Sequence, residues 1–330
     1  MPALMALRLL YVMDPLARVR VDQDTTFAFM LEGQRRGHEQ YHCGIEDLLV
    51  DATEPHAAVR RAQVQRAELH YTLSEARTVP LTWFDVVFMR KDPPFDLTYY
   101  FATQLLGLVD PTVTMVMNDP RGLREANEKL YALHFPEIIP EGMVSSDAAR
   151  LKEFMERLGG EMIVKPLDGC GGAGVFHVHR GDRNLNAILE LSTANGTRLV
   201  MAQRYLPAVR VDGDKRVIVL AGEPLGAIRR VPREDEHRGN IHVGGKVERA
   251  AIDGRDHDIC RRMAPRLEAD GLWFVGLDVI GGLVTEVNVT SPTGIQEIDR
   301  LDDVCLEARV LDFVETRAAR LDRKRAARAS

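Results

Sequence analysis

Hydrophobic and polar positions alternate in blocks along the first third of the chain. LRLLYVMD is a continuous apolar run of strand length, and DQDTTFAFMLEGQRRG follows with apolar residues at helical spacing. An acid and two threonines stand where a helix cap belongs, and Gly37 stands where the helix should stop. HEQYHCG reads as the next strand. FDVVFM, the turn RKDPPFD and the helical LTYYFATQLLGLV repeat the plan, and VTMVMN with DPRGLREANEKLYALHF repeats it again. This alternation predicts a parallel sheet flanked by helices over residues 1–120.

The rhythm changes after Pro120. A helix is expected over 121–134, then PEIIPEG, then a second capped helix in SSDAARLKEFMERLGG. Strands dominate from there: EMIVKPL, VFHVHR, TRLVMAQRYL, DKRVIVLAGEPLGAIRRV and FVGLDVIGGLVTEVNV, interrupted by one helix in DGRDHDICRRMAPRLEADG. The pattern predicts an α+β region distinct from the N-terminal α/β domain. The last residues, RAARLDRKRAARAS, read as a basic helix end with a solvated charged face.

Composition narrows the function classes. The chain has 330 residues and a formal net charge of −6, with 45% hydrophobic and 28% charged residues, which lacks the basic bias of a nucleic-acid binder. Cys43, Cys170, Cys260 and Cys305 are far apart and show no zinc-ligand spacing, as expected for reduced thiols in a cytoplasmic protein. Arg8 and Asp14 interrupt the opening apolar run, so it reads as a strand and not as a signal peptide; no run is long enough to span a membrane.

Two stretches carry chemistry. In KPLDGCGGAGVFHVH, Gly169, Gly171, Gly172 and Gly174 lie between strand-forming residues. Gly169, Gly171 and Gly174 match the spacing of a dinucleotide loop, but that fold needs a helix next, and strand residues follow. A kinase reading fails because its other motifs are missing, and no Walker loop is present. A glycine-rich hairpin led by Lys165 still suits phosphate: its backbone N–H groups can approach oxygens unobstructed, and the lysine adds positive charge.

The second stretch is FVGLDVIGGLVTEVNVTSPTG. Glu286 and Asn288 are two apart in a strand and share a face, while Asp278 lies on the preceding strand. These are hard oxygen donors of the kind Mg²⁺ prefers. A two-residue turn at Gly281 and Gly282 would pair Asp278 with Thr285 and turn it away. A three-residue connection or a bulge would set Asp278 opposite Glu286, as a shared metal site requires.

With a lysine-led glycine flap and an Asp…Glu-x-Asn hairpin in this order, the chain resembles the ATP-grasp superfamily of carboxylate–amine ligases. MRKDPPFD, NEKLYA, VKPLDGCGGAGVF, MAQRYLP, GDKRV, RGN followed by GG, FVGLDVIG and TEVNVTSPTGI narrow the resemblance to the prokaryotic glutathione synthetase family, up to about residue 300. That resemblance implies an N-terminal α/β substrate-binding domain (1–120) followed by a two-lobed ATP-grasp fold. The lobes would be a small lobe with the flap (121–200) and a large lobe with metal site and lid (201–315, lid 230–245), before a basic tail (316–330). It implies joining of γ-glutamylcysteine to glycine with ATP and Mg²⁺ or Mn²⁺, through an acyl phosphate, in a homo-oligomer, a tetramer.

By the same resemblance Lys129, Lys165 and the flap glycines would contact ATP phosphates. Gln203, Tyr205 and Leu206 would run along the adenine, with Asp214 near the ribose. Asp278, Glu286 and Asn288 would hold metal. Arg216 and Arg230 would be catalytic, and Asn240, Gly244, Gly245, Ser291 and Thr293 would meet the peptide. The lid carries Arg-Glu-Asp where the family commonly has a glycine pair, and Cys170 sits in the flap where methionine is frequent. The alternatives are an ATP-grasp ligase of another peptide or amino acid pair, or a non-catalytic nucleotide-binding regulator.

Overall fold

The structure is a computed structural model that describes residues 6–231 and 246–329, with side-chain surroundings given to residue 321. Three sheets organise it. The first contains β1 (Arg8–Val12), β2 (Glu39–Cys43), β3 (Leu48–Asp51), β4 (Glu54–Val64), β5 (Tyr71–Leu73), β6 (Arg77–Pro80), β7 (Val86–Met89) and β8 (Met115–Met117). Its order is β3-β4-β2-β1-β7-β8, with β5 and β6 also paired to β4.

Strands β2, β1, β7 and β8 run parallel, as the alternating pattern predicts. In β1 and β7 apolar side chains fill both faces: Leu9, Leu10, Tyr11, Val12, Val86 and Val87 are fully buried. Residues 48–80 add an antiparallel extension built around the long β4, which makes the sheet mixed. In EPHAAVRRAQV the buried positions alternate with exposed ones, so this strand is half-covered, unlike its parallel neighbours.

Helix α1 (Thr25–Arg35) starts where the sequence places its cap: Asp24 accepts from the Phe27 amide at 2.6 Å, and Gly37 follows the helix with φ +83°. α2 (Leu97–Leu106) is likewise capped, by Asp96. Each such cap is worth about 1 kcal/mol.

The helix expected over 121–134 is broken. α3 covers only Pro120–Glu125, and a short 3₁₀ turn returns at Tyr131–His134. Asn127 is the cause: its Oδ1 accepts from the Lys129 and Leu130 amides, satisfying donors that a continuing helix would have used. The break brings Lys129 Nζ to the Gly169 carbonyl and within 3.8 Å of Glu286.

The second sheet comprises β9 (Gly142–Ser145), β10 (Glu161–Pro166), β11 (Phe176–His179) and β12 (Val200–Gln203), ordered β11-β10-β12-β9. α4 (Ala148–Arg157) and α5 (Leu185–Ser192) pack on it and enclose a separate core around Leu151, Phe154, Met162, Val164 and Leu189. α6 (Ala208–Asp212) leads to the third sheet, made of β13 (Asp214–Leu220), β14 (Glu223–Val231), β15 (Lys246–Arg249), β16 (Phe274–Ile280) and β17 (Leu283–Asn288). Its order is β15-β14-β13-β16-β17.

α7 (Gly254–Ala269), α8 (Ile295–Asp302) and α9 (Leu306–Ala329) complete the chain, and the basic tail is the end of α9. The third sheet shares two cores with the first: Val217 and Leu277 cluster with Leu10 and Val87, and Ile218 and Phe274 cluster with Phe29 and Phe88. No helix among the described residues is long and apolar enough to cross a membrane.

Candidate functional site

A cleft of about 720 Å³, counting its open mouth, lies between the second and third sheets. Lys165, Gly172, Gln203, Tyr205, Leu206, Asp214, Asp278 and Glu286 all line it, with Ile163, Val175, Val209 and Ile280 as apolar wall.

The roof is the β10–β11 hairpin. Antiparallel pairing brings Val164 opposite Phe176 and leaves residues 167–175 as a loop. Gly171, Gly172 and Gly174 have φ of +62°, +82° and +71°, a region L side chains adopt only at a cost. Gly169 serves a different need: a Cβ there would stand 2.5 Å from Pro166 Cγ. Asn127 donates to the Leu167 carbonyl at 2.9 Å and Lys129 Nζ to the Gly169 carbonyl at 2.6 Å, so the helix break and the glycine loop are tied together.

The β16–β17 hairpin takes the bulged register. Gly281 and Gly282 do form a two-residue turn, with φ +56° and +76° and Ile280 opposite Leu283. The register then shifts between Asp278 and Val279, and Asp278 lands opposite Glu286. Thr285 is the additional residue of this bulge. Its hydroxyl donates to the Asp278 carbonyl at 3.2 Å, and its own carbonyl accepts from Lys165 Nζ at 2.9 Å. The bulge therefore aims two carboxylates at one region and gives a roof lysine an anchor.

The two carboxylates have different surroundings. Asp278 is buried and bracketed: Arg216 Nε donates to Oδ1 at 2.5 Å and Nη2 to Oδ2 at 3.1 Å, while Arg230 Nη2 lies 2.9 Å from Oδ2. Burial alone would raise its pKa, but the two guanidiniums outweigh burial and hold the carboxyl well below its usual range. Asp214 also pairs with Arg230, yet its Oδ1 is buried with no partner. Burial pushes that group up to about 6; Arg230 opposes the rise and the nearby Asp278 charge adds to it.

Glu286 remains partly open. Its nearest cations are Lys165 Nζ at 3.7 Å and Lys129 Nζ at 3.8 Å, too far for hydrogen bonds. Both lysines are nearly inaccessible, and burial lowers the pKa of Lys165. Asn288 commits its amide NH₂ to the Gly276 carbonyl at 3.1 Å, which leaves Oδ1 for another duty. Among the described residues no three His, Cys, Asp or Glu side chains form a metal cluster, so any cation here would rest on carboxylate plus amide donors and a ligand's own oxygens.

Gln203 and Tyr205 reach the cleft from the end of β12, and Tyr205 stacks on His177 with ring centroids 3.9 Å apart. Arg216 also reaches the Thr293 carbonyl at 3.3 Å, and Ser291 is half-buried in the same loop. Arg230 closes the charged quartet beneath the cleft. Asn240, Gly244, Gly245 and most of the expected 230–245 lid lie outside the described residues.

Pattern reading missed Glu128 and His177. Glu128 accepts from the Thr290 hydroxyl at 3.2 Å and from the Val287 amide at 2.8 Å through its carbonyl; burial raises its carboxyl pKa. The NEKL motif carries it, but an acid beside a lysine there reads as a surface helix residue until the helix is known to break.

The sequence matches the profile described as prokaryotic glutathione synthetase, N-terminal domain, over residues 7–124, and the ATP-grasp domain of the same family over 128–303. It is 48% identical over 314 residues to the glutathione synthetase of Gloeobacter violaceus, covering 93% of this chain and 96% of that one. To the Escherichia coli glutathione synthetase it is 43% identical over 308 residues, covering 93% and 97%. Among solved structures, a D-cycloserine synthetase superposes with a TM-score of 0.65 at 18% identity, covering 95% of this chain and 99% of that one. The ATP-grasp ligase PsnB, solved with a minimal precursor, Mg and ADP, gives 0.61 at 17%, covering 94% and 98%. At such identities the likeness speaks for the fold alone.

Proposed function

The chain belongs to the prokaryotic glutathione synthetase family, and from that premise we propose that it joins γ-glutamylcysteine to glycine, with ATP driving the reaction through an acyl phosphate. It is an ATP-grasp ligase that forms a C–N bond. The observation that carries the assignment of its residues is the convergence on Glu286: two lysines from separate segments, one tied to the glycine loop, approach the same carboxylate oxygen at 3.7 and 3.8 Å.

A carboxylate is a poor acyl donor because its oxygen leaves badly and its charge repels nucleophiles. Transfer of the γ-phosphoryl group of ATP corrects both. In this proposal Lys129, Lys165 and the amides around Gly169, Gly171, Gly172 and Gly174 hold the triphosphate and spread its charge. Gln203, Tyr205 and Leu206 bind the adenine, and the orphan Oδ1 of Asp214 accepts a ribose hydroxyl.

Glu286, Asn288 and Asp278 suit Mg²⁺, with Mn²⁺ as the alternative ion, because Glu286 and Asn288 share a face of β17, Asp278 lies opposite Glu286 on β16, and Glu286 has unused acceptor capacity. When bound, the cation neutralises phosphate oxygens. Arg216 stabilises the oxyanion formed when the glycine amine attacks, supported by Arg230, while Ser291 and Thr293 border the peptide. Asn240, Gly244 and Gly245 are proposed to meet the peptide too. A cytoplasmic location and a homo-oligomeric assembly complete the reading.

The test is direct. Purified protein with ATP, Mg²⁺, γ-glutamylcysteine and glycine should release phosphate and yield glutathione by mass spectrometry. Phosphate release without that product would assign a different acceptor, and no release with any amino acid would sink the reading.

A further inference from the structure

Arg90 follows β7 at the carboxyl edge of the first sheet, where its amide donates to the Val12 carbonyl at 2.8 Å. Ligands of open α/β sheets gather at that edge. The guanidinium is buried and lies over the rings of Phe29 and Phe274. Nε donates to Thr26 Oγ1 at 3.0 Å and Nη2 to the Pro292 carbonyl at 2.9 Å; both partners are neutral. No carboxylate oxygen among the described residues comes within 4.0 Å of it.

The nearest acids have other work. Asp24 caps α1, and burial favours its neutral form; Asp92 is exposed to solvent, and Asp14 pairs with Lys91. A buried cation without an anion is costly. Two buried hydroxyls nearby are also unpartnered: Thr25 Oγ1, next to the residue that holds Arg90, and Tyr99 OH, whose pKa burial raises and the Arg90 charge lowers.

We propose that Arg90 is the receptor for the far carboxylate of the dipeptide donor, the α-carboxylate of its γ-glutamyl group. This rests on the donor proposed above. Arg90 and Arg216 grip neighbouring carbonyls, Pro292 and Thr293, so their guanidiniums sit on the order of 10 Å apart or less. The two carboxylates of an extended γ-glutamylcysteine are about 9 Å apart. One end can therefore meet Arg216, where acyl transfer is assigned, while the other neutralises Arg90.

The experiment compares γ-glutamylcysteine with 4-aminobutyryl-cysteine, which keeps the amine and lacks only that carboxylate. Wild type should use the analogue at least about 100-fold less efficiently, since a site built around a polar group rejects a ligand without it. Arg90→Gln should lower kcat/KM for γ-glutamylcysteine by about 100-fold, mainly through KM, and change that for the analogue by no more than about 3-fold. Equal loss on both donors, or no discrimination by wild type, would overturn the proposal.

If Arg90→Gln does not fold, Thr26→Val serves: it frees Nε and should cut the discrimination by about 5-fold, and unchanged discrimination would count against the receptor. Failure of wild type to make glutathione at all would sink the assigned reaction instead, which separates the two readings.

Discussion

The roof and floor of the central cleft are built on opposite plans. The floor is the third sheet, and its cores run without a break into the first sheet. Its charges are matched among themselves: Arg216 and Arg230 bracket Asp278, and Arg230 also takes Asp214. The roof is the second sheet, which has a core of its own; its Lys165 anchors on the Thr285 carbonyl, and Lys129, from the break after α3, anchors on the roof's Gly169 carbonyl. A separately packed lobe can move as a body, and lysines whose nearest carboxylates stand beyond hydrogen-bond distance are ready for an anion. The floor fixes geometry, and the roof adapts to what it covers.

Asp278→Asn tests the floor most severely. It should cost about 3 kcal/mol of stability, because it leaves two buried guanidiniums short of charge, and lower turnover by about 1000-fold. Urea unfolding and steady-state rates check both. Unchanged stability would mean that the quartet is not what holds the floor, and the contrast would fail. Glu286→Gln should separate the properties that Asp278→Asn joins: about 100-fold lower activity, with a stability loss of only about 1 kcal/mol, since Lys129 and Lys165 keep their hydrogen bonds to backbone carbonyls when that carboxylate is neutralised.

Much of this contrast was legible in the chain. The parallel core of the first sheet, the capped helices and the roof hairpin follow from periodicity and turn residues that act over a few positions. The metal hairpin could be read only as a pair of alternatives, because Gly281 and Gly282 fix the turn while the bulge depends on Thr285 being held from the roof by Lys165.

The break after α3 hides for a similar reason. Lys129 is helix-compatible, and only its bond to a carbonyl forty residues away explains its position. Residues 48–80 escaped because the alternation of β4 is interrupted at Arg60 and Arg61 and its exposed positions include charges. Arg90 reads as a turn arginine; its burial is created by Phe274 and Pro292, which arrive from the far end of the chain.

Gly174→Ala probes the roof with a smaller effect. The residue has φ +71°, and a Cβ there would stand 3.2 Å from Pro166 Cγ. The strain should cost about 1 kcal/mol locally and raise KM for ATP by about 5-fold. Global unfolding of the floor, followed by hydrogen exchange in β13 and β16, should not change. If floor protection fell in step with the roof, the two lobes would share one folding unit and the separation drawn from their cores would be wrong.

The smallest effect is expected outside the cleft, and it asks whether matched charge is peculiar to the floor. Asp299, in α8, accepts from the Leu306 amide at 2.9 Å, and burial followed by its hydrogen bond with Glu307 raises its pKa to about 8. Here burial and a neighbouring acid raise the group, with no guanidinium bracketing it as at Asp278. An acid whose folded pKa lies above its unfolded value of about 3.9 loses stability as pH rises between the two, because the native state must surrender a proton it holds tightly. Asp299→Asn removes that penalty. The variant should gain on wild type as pH rises from 5 to 8.5, by about 1 kcal/mol after allowance for solvent screening at a half-exposed site. Urea midpoints at the two pH values measure it, and an equal offset at both would show that the pair ionises freely and that solvent carries its charge.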